Sequence, residues 1–191
     1  MPPTSPRRVL VTGAAGAGTT PLAGALAGRW SVPHADSDDY FWVPTDPPYR
    51  EVREAETRAE LMDAIFLSRP AWVLSGSVMG WGPAEQPVLD RVQLVVLLTL
   101  DPQTRLARVE ERQRRRYGPD AVAPGGARHD DHLAFLEWCA GYDDPAFDGR
   151  NLAQHLAWLE RLEQPTMRLD GDGPLGDLVA RIEERAAQVP A

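Results

Sequence analysis

The chain has 191 residues, of which 43% are hydrophobic and 25% charged, and this composition is typical of one globular domain with a sizeable core. Its formal net charge of −8 argues against a general nucleic-acid-binding protein, and the single cysteine, Cys139, excludes a framework of internal disulfide bonds. No apolar segment approaches the length of about 18 residues that a membrane helix needs, so we expect a cytoplasmic protein without a membrane partner.

Five short runs rich in β-branched and aliphatic residues predict the strands of one sheet. They cover residues 8–13, 32–36, 72–76, 92–100 and 166–171. The fourth run is apolar almost throughout, as expected of a strand that is covered on both faces. Helical patterns lie between the strands, at residues 19–30, 51–68, 102–116, 130–141, 150–163 and 174–187. This alternation predicts an α/β fold with a parallel sheet and right-handed crossovers.

Two segments interrupt the alternation of strands and helices. Residues 43–50 carry three prolines and predict an irregular loop. Residues 117–130 are rich in glycine and proline and follow a run of arginines, a combination that is typical of a movable lid. We therefore expect a single domain over residues 1–191, with a lid at approximately 105–130 and a helical segment at approximately 130–163.

The sequence VTGAAGAGTT, at residues 11–20, connects the first strand to the first helix. Its glycines allow the backbone to turn tightly and to direct several N–H groups at one anion, and the helix adds the positive end of its dipole. Thr20 stands where the hydroxyl group of a phosphate-binding loop holds Mg²⁺. The predicted phosphate-binding residues are Gly13, Gly16, Ala17, Gly18, Thr19 and Thr20. A glycine-rich turn that serves packing alone is the alternative.

Two residues depart from the usual phosphate-binding loop. Thr19 occupies the position of the lysine that normally contacts the β- and γ-phosphates, and lysine is absent from the whole chain, whose 20 basic residues are all arginine. Pro21 has no N–H group, so it removes a donor near the phosphates. The loop therefore needs a positive charge from elsewhere if it binds a nucleotide for catalysis.

The loop, the five strands, the chain length and the arginine-rich segment resemble the P-loop small-molecule kinases of the adenylate kinase and shikimate kinase group. More narrowly, the loop is similar to that of bacterial adenylate-kinase-like ATPases, in which G-x-x-G-x-G-T-[ST] replaces the standard motif. The resemblance implies a three-layer P-loop NTPase fold with a five-stranded parallel sheet flanked by helices. It also implies ATP and Mg²⁺ as cofactors and a small-molecule substrate.

An acidic stretch follows the second strand, at the sheet edge where ligands bind in open α/β folds. Asp36-Ser37-Asp38 is similar to the D-x-D motif of shikimate kinases. That resemblance implies that Asp36 assists Mg²⁺ through water and that Asp38 binds and deprotonates the substrate hydroxyl. The alternative is a solvated acidic turn. The aromatic residues at 40–42 follow directly. They are equally compatible with the wall of a substrate pocket and with the cover of the hydrophobic core.

The turn after the third strand reads Ser75-Gly76-Ser77. Nucleoside monophosphate kinases resemble this region but carry Asp-Gly there. The missing aspartate counts against that class and moves the metal-binding role to Asp36. Ser75 is a candidate to hold a metal-bound water, and a plain turn is the alternative.

Six arginines lie in the segment 105–118, and Arg105, Arg108 and Arg112 share one helical face because they are three and four residues apart. In related kinases an early lid arginine stacks on adenine and later ones bind the transferring phosphate. The resemblance thus implies stacking by Arg105 or Arg108. The candidates for the phosphate clamp are Arg112, Arg115 and Arg116. A solvated helix with pairing to neighbouring glutamates is the alternative.

The motifs leave three functional hypotheses open. An ATP- and Mg²⁺-dependent kinase, acting as a monomer on a small metabolite, is favoured by the loop, the two aspartates and the arginines. A nucleotide-binding module with weak catalysis, such as a sensor or partner-binding protein, is favoured by Thr19 and Pro21. A sulfotransferase is indicated only by the sequence G-T-T-x-L at 18–22, which resembles a phosphosulfate-binding loop.

Overall fold

A five-stranded parallel sheet forms the centre of the computed structural model, which describes residues 7–190. The strands are β1 (Arg8–Gly13), β2 (His34–Asp36), β3 (Trp72–Ser75), β4 (Leu94–Thr99) and β5 (Thr166–Asp170). They lie in the order β2-β3-β1-β4-β5. All five predicted strands and their parallel arrangement are confirmed.

Helices cover both faces of the sheet, so the predicted three-layer architecture is confirmed. On one face, α1 (Thr19–Trp30) and α9 (Leu175–Ala187) pack on the odd-numbered residues of β1, such as Val9 and Val11. The other face is covered by α3 (Ala55–Met62) with its π-helical extension Asp63–Leu67, α4 (Gln86–Leu89) and α8 (Leu152–Glu160). The apolar side chains of β4 alternate between these two cores, which explains why its sequence is apolar almost throughout.

The remaining helices are α2 (Ser37–Phe41), α5 (Pro102–Tyr117), α6 (Pro119–Val122) and α7 (His129–Ala140). The helices α2 and α5 follow the carboxyl ends of β2 and β4, and α6 and α7 pack beside α5. Asp101 begins α5 by accepting hydrogen bonds from the backbone N–H and the hydroxyl of Thr104, at 2.9 and 3.0 Å. The movement of the arginine-rich segment as a lid stays a prediction.

The helix boundaries differ from the predicted ones in two respects. The helix predicted over residues 51–68 begins only at Ala55, because residues 51–53 return from the preceding loop beside the Phe41–Val43 segment. The short helices α2, α4 and α6 were not predicted, because four or five residues are too few to show a helical period. Within residues 7–190, no helix is both long and apolar enough to cross a membrane.

A buried polar network joins α8 to the central strand. The imidazole of His155 is fully buried, with Nε2 3.1 Å from Thr12 Oγ1 and Nδ1 2.8 Å from the hydroxyl of Tyr142. Burial lowers the pKa of His155 from 6.5 to about 3, and the charge of Arg150 acts in the same direction. The imidazole is therefore neutral in the folded protein at any pH well above 3.

We expect His155 to make the protein less stable as the pH falls. Below pH 6.5 the unfolded chain protonates this side chain while the folded protein does not, and stability is lost until the pH reaches about 3. The loss from this one group approaches about 1.4 kcal/mol per pH unit. Urea denaturation at pH 7 and at pH 5 measures this loss as a decrease in the free energy of unfolding. The decrease should be about 2 kcal/mol smaller in His155→Gln than in the wild type, because glutamine takes up no proton. Equal decreases would contradict the assignment.

Candidate functional site

The carboxyl ends of the parallel strands bring separate motifs to one edge of the sheet. The loop predicted to bind phosphate follows β1, the acidic stretch follows β2, and the turn at residues 75–77 follows β3. In the register of the sheet, Asp36 lies directly beside Ser75. Only β3 lies between β1 and β2, so the strand order brings the predicted loop and the predicted acids to the same part of the sheet edge.

The loop has the backbone shape that its glycines allow. Gly16 and Gly18 adopt φ angles of 84° and 100°, in the left-handed region, and Gly18 is the N-cap of α1. The N–H of Ala17 donates to the carbonyl of Ala14, at 3.1 Å, which closes a tight turn. The twelve-residue helix α1 then begins at Thr19 and directs the positive end of its dipole towards the loop.

Arg105 supports the loop from the protein interior. Its side chain is only 1% exposed and forms an ion pair with Asp143. It also donates to the carbonyl of Ala15 at 3.0 Å and to that of Cys139 at 3.3 Å. A side chain at Gly16 would overlap the carbonyl oxygen of Arg105. The interpretation of Arg105 as an adenine-stacking residue is therefore wrong, because neither face of its guanidinium group is open to a ligand.

Two other arginines of α5 lie near the loop and the acidic stretch. Nη1 of Arg108 lies 3.8 Å from the position that a Cβ atom would have at Gly18. Burial raises the pKa of Asp38, and the positive charge of Arg112 opposes part of that increase, so Arg112 is near the acidic stretch. Both side chains belong to exposed residues. Positive charge is thus available over the loop, although Thr19 provides none.

The last arginines of α5 contact other groups. Arg115 pairs with Glu111, 3.4 Å away, in an ion pair on the surface. Arg116 donates to the hydroxyl of Tyr49 at 3.1 Å, and its guanidinium carbon lies 5.3 Å from the ring centroid of the same residue. In this conformation neither Arg115 nor Arg116 belongs to the group of arginines around the loop.

A cluster of hydrogen-bonded oxygen atoms joins the loop to the second and third strands. Thr20 Oγ1 donates to Asp36 Oδ2 at 2.7 Å, and Ser75 Oγ donates to the same oxygen at 2.9 Å. The other carboxylate oxygen, Oδ1, accepts from the backbone N–H of Asp38 at 3.1 Å. Asp36 is thus the N-cap of α2 as well as the centre of the cluster.

The composition of this cluster fits Mg²⁺ held jointly by the protein and a nucleotide. Hydroxyl and carboxylate oxygens are hard ligands, which Mg²⁺ prefers. Over residues 7–190 there is no group of three or more His, Cys, Asp or Glu side chains that could hold a metal ion. An ion at Thr20 and Asp36 would consequently take further ligands from phosphate groups and water, as Mg²⁺ does in nucleotide sites.

Asp38 lies in a different electrostatic environment. Partial burial raises the pKa of Asp38, and the neighbouring charges of Asp36 and Asp39 raise it further, while Arg150 and Arg112 act in the opposite direction. The carboxylate still reaches solvent at the edge of the site. Asp38 therefore combines access to a ligand with an increased tendency to accept a proton.

Arg150 is a site residue that the sequence did not indicate. It lies between α7 and α8, near enough to Asp38 to influence its pKa. Burial lowers the pKa of Arg150, and its Nε is buried without a hydrogen-bond partner among residues 7–190. Its guanidinium carbon lies 5.6 Å from the ring centroid of Trp138. No motif surrounds this arginine in the sequence, so only the fold brings it to Asp38.

Aromatic side chains form one wall beside the acidic stretch. Tyr40 is buried in the core, as the core interpretation of this run predicted, whereas Phe41 and Trp42 are half-buried, and their role as a pocket wall stays a prediction. The buried guanidinium group of Arg58 lies 4.3 Å from the ring centroid of Phe41 and 4.6 Å from that of Trp81. This packing fixes the position of the wall relative to the sheet.

Residues 42–53 form a loop that returns on itself and reaches the arginine-rich segment. A β-bridge between Trp42 and Val52 closes its base. At its tip Tyr49 contacts Arg116, and Nη2 of Arg50 lies 2.7 Å from Oδ2 of Asp131 at the start of α7. The loop predicted to be irregular therefore connects the acidic stretch to Arg116, within the predicted lid, and to α7, which follows the lid.

Sequence comparison identifies a relative of nearly the same length. The uncharacterized protein YqaC of Bacillus subtilis (strain 168) is 32% identical over 176 residues, which cover 92% of this chain and 95% of YqaC. No protein-family model matches the chain.

Comparison with solved structures identifies several small-molecule kinases. The shikimate kinase of Bacteroides thetaiotaomicron has a TM-score of 0.57 at 17% identity, with 94% of this chain and 97% of that chain covered. The shikimate kinase of Acinetobacter baumannii in complex with shikimate has a TM-score of 0.55 at 17% identity, with 97% and 95% covered. A gluconokinase of Sinorhizobium meliloti 1021 reaches 0.50 at 16% identity, with 96% and 93% covered. The predicted fold of the P-loop small-molecule kinases is confirmed.

We expect Arg105→Met to destabilise the protein strongly. The substitution leaves Asp143 without its buried partner and removes the donors to Ala15 and Cys139, which should cost about 3 kcal/mol of unfolding free energy. Arg108→Met is the matched control, because it makes the same change at an exposed position of the same helix and should stay within about 0.5 kcal/mol of the wild type. Urea denaturation measures both values, and similar stabilities of the two variants would contradict the supporting role of Arg105.

Proposed function

The chain belongs to the same family as YqaC of Bacillus subtilis and has the fold of the P-loop small-molecule kinases, and from this premise we propose that it is an ATP- and Mg²⁺-dependent phosphotransferase acting on a small metabolite. The observation that carries the proposal is the 2.7 Å contact between Thr20 of the loop and Asp36 after β2. It joins a phosphate cradle to an acidic group at the edge of the sheet where ligands bind.

The first step of the proposed reaction is the binding of ATP. Backbone N–H groups from Gly16 to Thr19, together with the dipole of α1, would hold the phosphates. Thr20 and Asp36 would hold Mg²⁺, and Ser75 would orient the carboxylate of Asp36. When bound with ATP, Mg²⁺ supplies neutralisation of charge on the phosphate oxygens.

Asp38 is the proposed base for the acceptor. Phosphoryl transfer requires a well-oriented acceptor hydroxyl more than a strong base, and a carboxylate at the edge of the pocket can both hold the hydroxyl and receive its proton. The raised pKa of Asp38 favours that proton transfer. Arg150, on the same side of the site, would bind a negatively charged part of the acceptor or of the transferred phosphate.

Arg108 and Arg112 are the arginines that we propose in place of the missing lysine. Arg108 lies beside Gly18, and the charge of Arg112 acts on Asp38, so one arginine is near the loop and the other is near the proposed base. The phosphate-clamp role of Arg115 and Arg116 has less support, since these residues contact Glu111 and Tyr49. A guanidinium group can also make two parallel contacts to a phosphate.

A second function is favoured by the chemistry of residues 19 and 21. Thr19 carries no charge and Pro21 carries no N–H, so the loop would bind the ground-state nucleotide with fewer contacts than a standard loop does. A nucleotide-binding module with weak catalysis would show these same features. The two functions differ in turnover and not in binding.

Titration with ATP and Mg²⁺, followed by a turnover assay with a panel of sugars, polyols and hydroxy acids, tests the proposed function. We expect Asp38→Asn to lower turnover by about 10²-fold or more while the affinity for ATP stays nearly unchanged. Asp39→Asn, at the exposed neighbouring position, is the control and should retain turnover. No ATP binding by the folded protein would refute the proposal, and ATP binding without turnover would favour the binding module.

We expect Arg112→Ala to lower kcat by about 10³-fold, the scale of an arginine that stabilises a transferring phosphoryl group. Thr19→Lys should partly restore the activity of this variant, because it returns a positive charge to the loop. Arg115→Ala is the matched control, since Arg115 pairs with Glu111 on the surface and should be dispensable. Steady-state kinetics of the single and double variants provide the test. A fully active Arg112→Ala, or an inactive Arg115→Ala, would contradict this assignment of charge.

A further inference from the structure

His34 lies behind the oxygen cluster and has no part in the function proposed above. It is the first residue of β2, and its side chain projects from the same side of the strand as that of Asp36 because the two are separated by one residue. Nε2 of His34 lies 3.1 Å from Oγ of Ser75 on the neighbouring strand. His34 and Asp36 therefore contact the same hydroxyl group from the two ends of β2.

The direction of these hydrogen bonds follows from the number of protons. Ser75 has one hydroxyl proton, and Asp36 Oδ2 is its nearest oxygen acceptor, at 2.9 Å, while the carbonyl of Ala35 is 3.4 Å away. If Ser75 donates to Asp36, then Nε2 of His34 must be the donor to Ser75. A histidine that accepted from Ser75 instead would leave Asp36 with one hydroxyl donor fewer.

The carboxylate of Asp36 is thereby oriented by donors on both of its oxygens. Oδ2 accepts from Thr20 and Ser75, and Oδ1 accepts from the backbone N–H of Asp38. The imidazole of His34 faces α1, where Nδ1 lies 3.7 Å from the position that a Cβ atom would have at Gly24. The hydrogen bonds from His34 through Ser75 to Asp36 therefore orient the carboxylate that faces the loop.

We propose that His34 is a positioning residue that holds the hydroxyl of Ser75 on Asp36 and so prepares the carboxylate for a metal ion bound with nucleotide. The inference rests on the proposed function, because it presumes that Asp36 and Thr20 bind such an ion. Groups that orient a ligand from behind commonly contribute about 10- to 100-fold to metal affinity. We expect the contribution of His34 to metal affinity to lie at the lower end of this range, because the residue is exposed and solvent competes for its hydrogen bond.

The test measures metal affinity directly with Mn²⁺ as a spectroscopic substitute for Mg²⁺. Free Mn²⁺ is followed by electron paramagnetic resonance in the presence of ADP, and binding of ADP without metal is measured separately by calorimetry. We expect His34→Leu to weaken Mn²⁺ binding about tenfold and to leave metal-free ADP binding unchanged. His34→Gln is the matched variant, because its amide N–H can reach the place of Nε2 and should restore most of the affinity.

A double-mutant cycle separates positioning through Ser75 from a direct effect of His34. Ser75→Ala should weaken Mn²⁺ binding by a similar factor, and His34→Leu combined with Ser75→Ala should add little further loss. A wild-type protein that binds no Mn²⁺ with ADP would overturn the proposed function. If the wild type binds the ion, then an unchanged affinity in His34→Leu, equal losses in the Leu and Gln variants, or additive losses in the cycle would each overturn the role of His34.

Discussion

Arg105 passes beneath the glycine-rich loop, where its guanidinium group is shared between Asp143 and two backbone carbonyls. Its charge is balanced within the protein and is not available to a ligand. The same helix also carries the exposed residues Arg108, beside Gly18, and Arg112, whose charge acts on Asp38. A loop without lysine is thus shaped from below by one arginine of α5 and supplied with positive charge by others. The geometry of the loop and the charge above it consequently depend on the position of this one helix.

The pairing of β2 with β3 organises the acidic half of the site in a comparable way. The parallel register sets Asp36 beside Ser75, and the Asp36 carboxylate begins α2 by capping the N–H of Asp38. The short helix then places Asp38 near enough to Arg150 for that charge to act on its pKa. Two aspartates two residues apart therefore occupy different environments, one in a hydrogen-bonded cluster and one with a raised pKa.

The sequence predicted the sheet, the loop and α1 because each is encoded by neighbouring residues: apolar runs, closely spaced glycines and a helical period. It also predicted the meeting of the loop with Asp36, since parallel strands end at one edge. The burial of Arg105 was missed, although Val109 and Gln113 share its buried face, because its partner Asp143 lies far along the chain. Arg150 was missed for the same reason, since its proximity to Asp38 is a product of tertiary packing alone.

The arginine-only composition gives the site a particular covalent chemistry. Lysine in a phosphate-binding loop is a primary amine, which forms imines with aldehydes and accepts acetyl groups. The cations at this site, Arg105, Arg108, Arg112 and Arg150, are guanidinium groups, and no side chain in the sequence carries an amine. Aldehyde reagents that form an imine with a loop lysine, and enzymes that acetylate lysine, therefore find no side-chain target here. Dicarbonyl reagents, which condense with guanidinium groups, would instead modify the exposed Arg108 and Arg112 before the buried Arg105.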